Sequence, residues 1–490
     1  MKKLLILLFA LGLMVSNQKA VAQEPYEANW SSLRRHTTPE WLDGMKFGIY
    51  CHWGPQSVKI STEDWDMSTL EAIEQWKGEN FSAKAWVDLF QAAGAQFAGP
   101  VAWHGSGMVN WDSEITDWNS LDKSPGIDIT GELTKELRKR NMPVLASFHS
   151  FSIWGPVTKG SDVYLDPAAD NSSYYRSQRE QRSDETLEGI YQRITEAIDK
   201  YELDMVWLDT GFGGTVGSEL RGDILNGRLL DEGDNSLRGI REDYQQKLIS
   251  YFYNKGLEWG KDVEFIYKSF DIPPGIGMRD IENGNLKGLQ YDPWMADINM
   301  AYHWDYRTSW FYNTANPMKD ANTLVDMLID VTSKNGRILL SVPPKRDGTF
   351  SEDQVKQLTA MGDWLKLNSE AIYGTIPWVF FGEGPTEVIV EGHHAQSKFR
   401  GDSIPHYTAK DIRFTQKDNY LYAICLDWPG EELSIRTLGL RGKMYPGDIK
   451  SITMLGTNEN IEWEQTADAL VVQFPDTPPC DFAYCLKIER

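Results

Sequence analysis

The chain carries two hydrophobic rhythms in alternation. Short runs that are almost wholly apolar recur at Met45–Tyr50, Gln96–Ala102, Val144–Phe148, Met205–Leu208, Glu264–Tyr267 and Arg337–Val342. Such runs are the signature of strands buried on both faces, as parallel strands are. Between them lie Ala83–Ala93, Ile129–Arg140, Ser183–Tyr201, Ile240–Lys255 and Thr323–Ser333, where apolar residues return every three or four positions, the period of a helix with one buried face. Buried strand followed by amphipathic helix, repeated, predicts βα units around a parallel barrel. Each run ends in polar or aromatic residues, and a barrel of this kind keeps its chemistry at the strand C-termini.

From Val388 onward the rhythm shortens to alternating strands separated by turns, as at Tyr420–Leu426, Ile449–Met454 and Ala469–Phe474. No long helical period survives there, which predicts an antiparallel β unit. The expected fold class is therefore α/β, a (β/α)8-like (TIM-type) barrel followed by a C-terminal antiparallel β-sandwich. The boundary falls between Trp378 and Val388, giving residues 23–382 to the barrel and 383–490 to the sandwich.

Composition narrows the setting. Lys2 and Lys3, an apolar run from Leu4 to Val15 and then Ala20-Val21-Ala22 have the layout of a cleavable signal peptide over residues 1–22, so the expectation is export to the periplasm or beyond the cell. The apolar run is too short to span a bilayer. Only four cysteines are present, Cys51, Cys425, Cys480 and Cys485, too few for a disulfide framework; free buried thiols are expected, although Cys480 and Cys485 could pair. A net charge of −22 excludes nucleic acid as a natural partner, because phosphate binding needs clustered Lys and Arg. The 19 Trp and 21 Tyr suit either a large core or a sugar site, in which ring faces lie on indole and hydroxyls find charged partners.

Two segments carry candidate chemistry. Lys46-Phe47-Gly48-Ile49-Tyr50-Cys51-His52-Trp53-Gly54 sets a His and a Trp at a strand end. Met205-Val206-Trp207-Leu208-Asp209-Thr210-Gly211 ends a buried strand on a carboxylate, which is costly to bury unpaired and so points to a cleft, the alternative being a helix cap.

With these segments in place, the sequence resembles family 29 of the glycoside hydrolases, the α-L-fucosidases. The resemblance runs from about Trp41 to Trp378. It includes the opening Lys46–Gly54, the Phe81–Phe97 block, Trp111-Asp112-Ser113 with Asp117-Trp118-Asn119, and Asp128-Ile129-Thr130-Gly131-Glu132-Leu133. Asp280-Ile281-Glu282-Asn283-Gly284, Lys334-Asn335-Gly336-Arg337-Ile338-Leu339-Leu340-Ser341-Val342-Pro343-Pro344 and Asn368-Ser369-Glu370-Ala371-Ile372-Tyr373-Gly374 complete it.

The resemblance implies a retaining mechanism, in which one carboxylate attacks the anomeric carbon while a second carboxyl protonates the leaving oxygen and later activates water. Asp209 matches the nucleophile and Glu282 the acid/base, with Asp280 and Asp297 in reserve. A retaining pair should stand about 5–5.5 Å apart. The resemblance also implies sugar contacts from His52, Trp53, His104, Trp207, Lys268 and Trp304. The chain departs from the family where relatives read His-His-Asp-Gly-Phe, having His104-Gly105-Ser106-Gly107-Met108 instead, and again at Trp294-Met295-Ala296-Asp297-Ile298 and His303-Trp304-Asp305-Tyr306.

No metal or cofactor is expected. His393-His394 lacks a third ligand at useful spacing, and Gly211-Phe212-Gly213-Gly214 lacks the order of a phosphate loop and reads as a flexible rim. A glycan is the expected partner, and the sequence is silent on oligomeric state. Two other readings stay open: an α-L-galactosidase or related exo-enzyme, and a non-catalytic carbohydrate-binding relative.

Overall fold

A closed ring of eight parallel strands forms the centre of the molecule, in a computed structural model that describes residues 24–64, 66–149, 184–209, 241–268, 272–302, 309–392, 395, 404–444 and 447–490. The strands are β1 (Phe47–Cys51), β2 (Phe97–Trp103), β3 (Leu145–Phe148), β4 (Met205–Leu208), β5 (Glu264–Lys268), β6 (Met278–Asp280), β7 (Trp294–Asn299) and β8 (Gly336–Ser341). Pairing of β1 with β8, Phe47 to Tyr50 against Ile338 to Ser341, closes the ring.

Alternation along each strand divides its side chains between two cores. Tyr50, Phe97, Val101, Leu145, Met205, Trp207, Ile266, Met278, Met295 and Leu339 form one buried cluster that fills the barrel. Their strand neighbours Ile49, Ala98, Ala146, Val206, Phe265, Ala296 and Ile338 belong to a larger cluster under the helices. Near the bottom of the barrel, Phe97 occupies the space that a side chain at Gly48 would need, since a Cβ there would lie 2.1 Å from its ring.

The outer layer includes helices Ala83–Ala92, Ile129–Arg138, Asp184–Tyr201, Glu242–Trp259, Ala321–Ser333 and Glu352–Asn368. Side-chain caps start several of them: Ser82, Asp128 and Asp320 each accept a first-turn N–H, and Ser351 forms a capping box with Gln354.

Six of the eight barrel strands and five of these helices follow the hydrophobic pattern. β6 and β7 do not. β6 has only three residues, and the inward positions of β7 include Asp297, so neither gives an apolar period.

Beyond the barrel, β9 (Ile376–Glu383), β10 (Ile412–Lys417), β11 (Tyr420–Cys425), β12 (Glu432–Ile435), β13 (Ser451–Met454), β14 (Trp463–Gln465), β15 (Leu470–Gln473) and β16 (Tyr484–Glu489) form two antiparallel sheets, in the orders 13-16-11-10-9 and 12-15-14. Trp378, Phe414, Leu421, Leu433, Leu470, Val472 and Leu486 share the core between them. All four cysteines are free thiols.

A buried ion cluster joins the two halves. Asp330 on the helix Ala321–Ser333 receives Lys334 Nζ at 2.7 Å and, from β10, Arg413 Nε at 2.6 Å. Asn285 donates to the same carboxylate at 2.9 Å and accepts from Lys334 at 3.1 Å. Burial alone would raise the Asp330 carboxyl, but Lys334 and Arg413 outweigh it and hold it well below the usual range.

Asp330→Ala leaves two buried cations without their counterion, and unfolding in urea should show a loss of about 3–5 kcal/mol. A carboxyl with a depressed native pKa contributes stability above its unfolded value and loses it as pH falls. The deficit should therefore be flat from pH 8 to 5 and shrink only below about pH 4; a deficit under 1 kcal/mol would refute a structural role.

Candidate active site

The inward positions that fill the lower barrel with Phe, Leu and Met become polar at the C-terminal end. His52 directly follows β1, His149 follows β3 and Asp209 follows β4. Lys268 ends β5, Asp280 ends β6, Asp297 lies in β7 and Ser341 ends β8.

At the centre stands the Lys268 ammonium. It lies 2.8 Å from Asp209 Oδ1, 2.9 Å from Glu282 Oε2 and 3.5 Å from Asp297 Oδ2. Because Asp209 and Glu282 meet the same nitrogen, those two oxygens are at most about 6 Å apart, closer than the roughly 6.5–9.5 Å of an inverting pair. The four carboxyl groups differ in access. Asp280 and Asp297 are 0% and 1% exposed, whereas the side chains of Asp209 and Glu282 are 19% and 15% exposed. Only the latter two can meet a ligand.

Electrostatics separates them further. Burial would raise the Asp209 carboxyl, but Lys268 and His149 outweigh it and hold it well below the usual range; His149 Nδ1 lies 3.1 Å from its Oδ2. Burial pushes Asp280 up to about 6 despite its hydrogen bonds to Asp297, and burial with the repulsion of Asp280 pushes Asp297 well up, so this pair holds a proton behind the lysine. Tyr50 donates its hydroxyl to Asp297 at 3.2 Å. For Lys268, burial works against the charge, but Asp209, Asp297, Glu282 and Asp280 outweigh it and raise the ammonium well above the usual value.

The loop carrying Glu282 is tied to β7 by its main chain. Ile281 N–H donates to Met295 O at 2.9 Å and Asn283 N–H to Asp297 O at 2.7 Å. Asn283 adopts φ +43°, and Gly284 lies so close to Ile281 O that a Cβ would come within 2.4 Å. The Asn-Gly pair thus gives the turn a geometry that branched residues would resist.

Opposite this charge cluster stand three imidazoles. His52, His104 and His149 have ring centroids 5.4, 5.2 and 4.6 Å apart, and a ring nitrogen or equivalent ligand atom of each lies within 4.8 Å of the others. Burial and neighbouring histidines push His52 and His104 well below the usual value, so both are neutral and can donate and accept. Among the described residues this is the one group of three that could ligate a metal. Sequence spacing could not show it, because three different strands supply the rings.

Trp207 lies beneath His149, with centroids 5.2 Å apart, and its ring is 4.9 Å from Lys268 Nζ. Trp310 stands 5.1 Å from His52, and Phe311 stands 5.7 Å from His52 and 5.3 Å from His104. The structure thus gathers Asp209, Glu282, His52, His104, Trp207 and Lys268, with Asp280 and Asp297 behind. Trp53 is elsewhere: it is 3% exposed, stacks on Phe81 and abuts Trp76 and Trp86. Trp304, His393-His394 and Gly211–Gly214 lie outside the described residues. Sequence reasoning missed His149, Tyr50, Trp310 and Phe311, of which His149 carried the signal of a polar residue immediately after a buried run.

Known proteins resemble this chain along nearly its full length. The family model described as Alpha-L-fucosidase matches residues 13–370, and that described as Alpha-L-fucosidase C-terminal domain matches residues 406–489. The human tissue alpha-L-fucosidase is 25% identical, with 99% of this chain and 96% of the relative covered. Among solved structures, the Thermotoga maritima alpha-fucosidase in complex with fucose aligns with a TM-score of 0.68 at 23% identity, covering 94% of this chain and 99% of its own. A trapped covalent intermediate of an alpha-L-fucosidase from Bacteroides thetaiotaomicron aligns at 0.63 and 16% identity, covering 95% and 97%. These likenesses show the shared fold.

Lys268→Met removes the cation that holds the Asp209 carboxyl down and that offsets the rise of Asp280 and Asp297, so all three native pKa values should move up. The folded variant would bind more protons than the folded wild type, so its stability relative to wild type should fall as pH rises. Melting temperatures of wild type and variant should differ more at pH 8 than at pH 5; an equal difference at both would rule out this role.

Proposed function

The chain belongs to the α-L-fucosidase family and is a glycoside hydrolase acting on α-L-fucosyl residues, and on that premise we propose that it works by double displacement, with Asp209 as nucleophile and Glu282 as acid/base. The observation that carries the assignment is that the two ligand-accessible carboxylates, on loops after different strands, converge on one ammonium.

In the first step Asp209, kept ionised by Lys268 and His149, attacks the anomeric carbon while Glu282 delivers a proton to the departing oxygen. The ester that forms removes one negative charge from beside Lys268. In the second step Glu282 takes a proton from water, whose oxygen attacks the same carbon, breaks the ester to release the Asp209 carboxylate and restores the original anomeric configuration. His52 and His104, being neutral, donate to and accept from ring hydroxyls, and Trp207 and Lys268 line the pocket floor. Gly105 offers no side chain where relatives carry a second His, so one hydroxyl contact is missing or comes from another residue. His149, already beside Asp209, is placed to supply it.

The proposal extends to organisation and setting. Residues 1–22 act as a signal peptide, residues 23–382 form the catalytic barrel domain, and residues 383–490 form the second domain. The mature protein works in the periplasm or outside the cell on fucosylated glycans. Among the described residues no helix is long and apolar enough to cross a membrane.

Hydrolysis of p-nitrophenyl α-L-fucoside, with the L-galactoside beside it, tests the assignment. Asp209→Ala should lose at least about 10³-fold in kcat and Glu282→Gln about 10²–10⁴-fold on poor leaving groups. Azide should rescue both, giving the β-fucosyl azide from Asp209→Ala and the α-azide from Glu282→Gln. The same anomer from both variants, or full activity in either, would overturn the roles.

A further inference from the structure

We propose that the three-histidine cradle is also a binding site for one divalent transition-metal ion of the zinc type, held by His52, His104 and His149 and excluding the sugar when occupied. Three observations converge on it. First, one candidate ligand atom from each ring lies within 4.8 Å of the other two. Nitrogens around tetrahedral zinc, at Zn–N about 2.0–2.1 Å, stand about 3.4 Å apart, so the rings need to close by roughly an ångström. Second, the outer partners that orient a metal-binding imidazole are in place for two of the three rings, the free nitrogen of His149, Nε2, lying 3.5 Å from Ser147 Oγ. His52 Nδ1 meets Ser341 Oγ at 2.9 Å, and His149 Nδ1 meets the Asp209 carboxylate at 3.1 Å. A carboxylate behind an imidazole fixes the tautomer and strengthens the other nitrogen as a donor. Third, His104 Nδ1 is buried and has no hydrogen-bond partner. A buried polar atom without a partner is costly, and a cation supplies one.

Chemistry selects the ion. Three imidazole nitrogens favour zinc, copper or nickel over magnesium or calcium, which demand oxygen. Three protein ligands leave a fourth position open for water. The charge of Lys268 would repel a cation, but Asp209 and Glu282 sit against it at 2.8 and 2.9 Å. The metal would occupy the space where His52 and His104 meet sugar hydroxyls, so ion and sugar compete.

Chelator-stripped full-length protein titrated with ZnCl2 in a calorimeter should bind one ion per chain. His104→Ala should weaken that binding at least tenfold, and Asp209→Asn by about 10–100-fold through loss of the outer partner. His406→Ala, at an exposed position in the second domain, should leave it unchanged. CoCl2 in place of zinc should give the intense visible bands of a four-coordinate site in the wild type, a readout that needs neither a folded variant nor hydrolysis. Zinc should raise KM for p-nitrophenyl α-L-fucoside without lowering kcat, reversibly with EDTA. Equal zinc affinity in wild type and His104→Ala, a six-coordinate cobalt spectrum, or inhibition confined to kcat would each overturn the proposal.

Discussion

One ammonium group organises the upper half of the barrel. Lys268 stands among Asp209, Glu282, Asp297 and Asp280, carboxyl groups delivered by three other strands or the loops after them. No segment of local sequence could bring these together, and without the cation their convergence would carry a heavy penalty in a site this dry. Ring closure and charge balance therefore depend on each other. The strands must curve into a ring for the lysine to meet its partners, and the lysine makes tolerable what the ring concentrates.

The resulting asymmetry gives the four carboxyls separate tasks. Those that keep some exposure can reach a ligand, while the buried pair shares a proton and supports the lysine from behind. Apolar residues below and polar residues above follow from one period-two pattern, since the same inward-facing register runs from Met205 through Trp207 to Asp209. The lower part fills space, and the upper part uses the rigidity this provides.

That pattern explains how much was legible beforehand. β4 could be read, because a buried run ending in Asp has few other settings, and with it came Asp209. β6 and β7 could not: three residues carry no period, and a strand that points Asp297 inward looks polar. Glu282 was reached only through resemblance, since a loop carboxylate followed by Asn-Gly has no distinctive signature by itself. Trp53 was misleading because adjacent residues on a strand face opposite ways, so the neighbour of His52 turns into the aromatic packing under the helices. Trp310 and Phe311 come from a long connection whose path the local sequence does not determine. The Asp330 cluster is likewise invisible in sequence, as Asn285, Asp330 and Arg413 become neighbours only after two domains have met.

That cluster bears on modularity. Asn285 lies three positions beyond Glu282, and its side chain is held by the carboxylate that Arg413 of the second domain also grips. Main-chain bonds between Asn285 and Gly392 add a second tie. The sandwich is thus not an appendage that could be exchanged freely between homologous barrels. A donor domain would have to carry an arginine in register with Asp330 and a strand edge that fits Asn285. Otherwise the graft would fold as two sound halves with the loop after Glu282 no longer held from the far side, and inheritance should favour passing the two units on together.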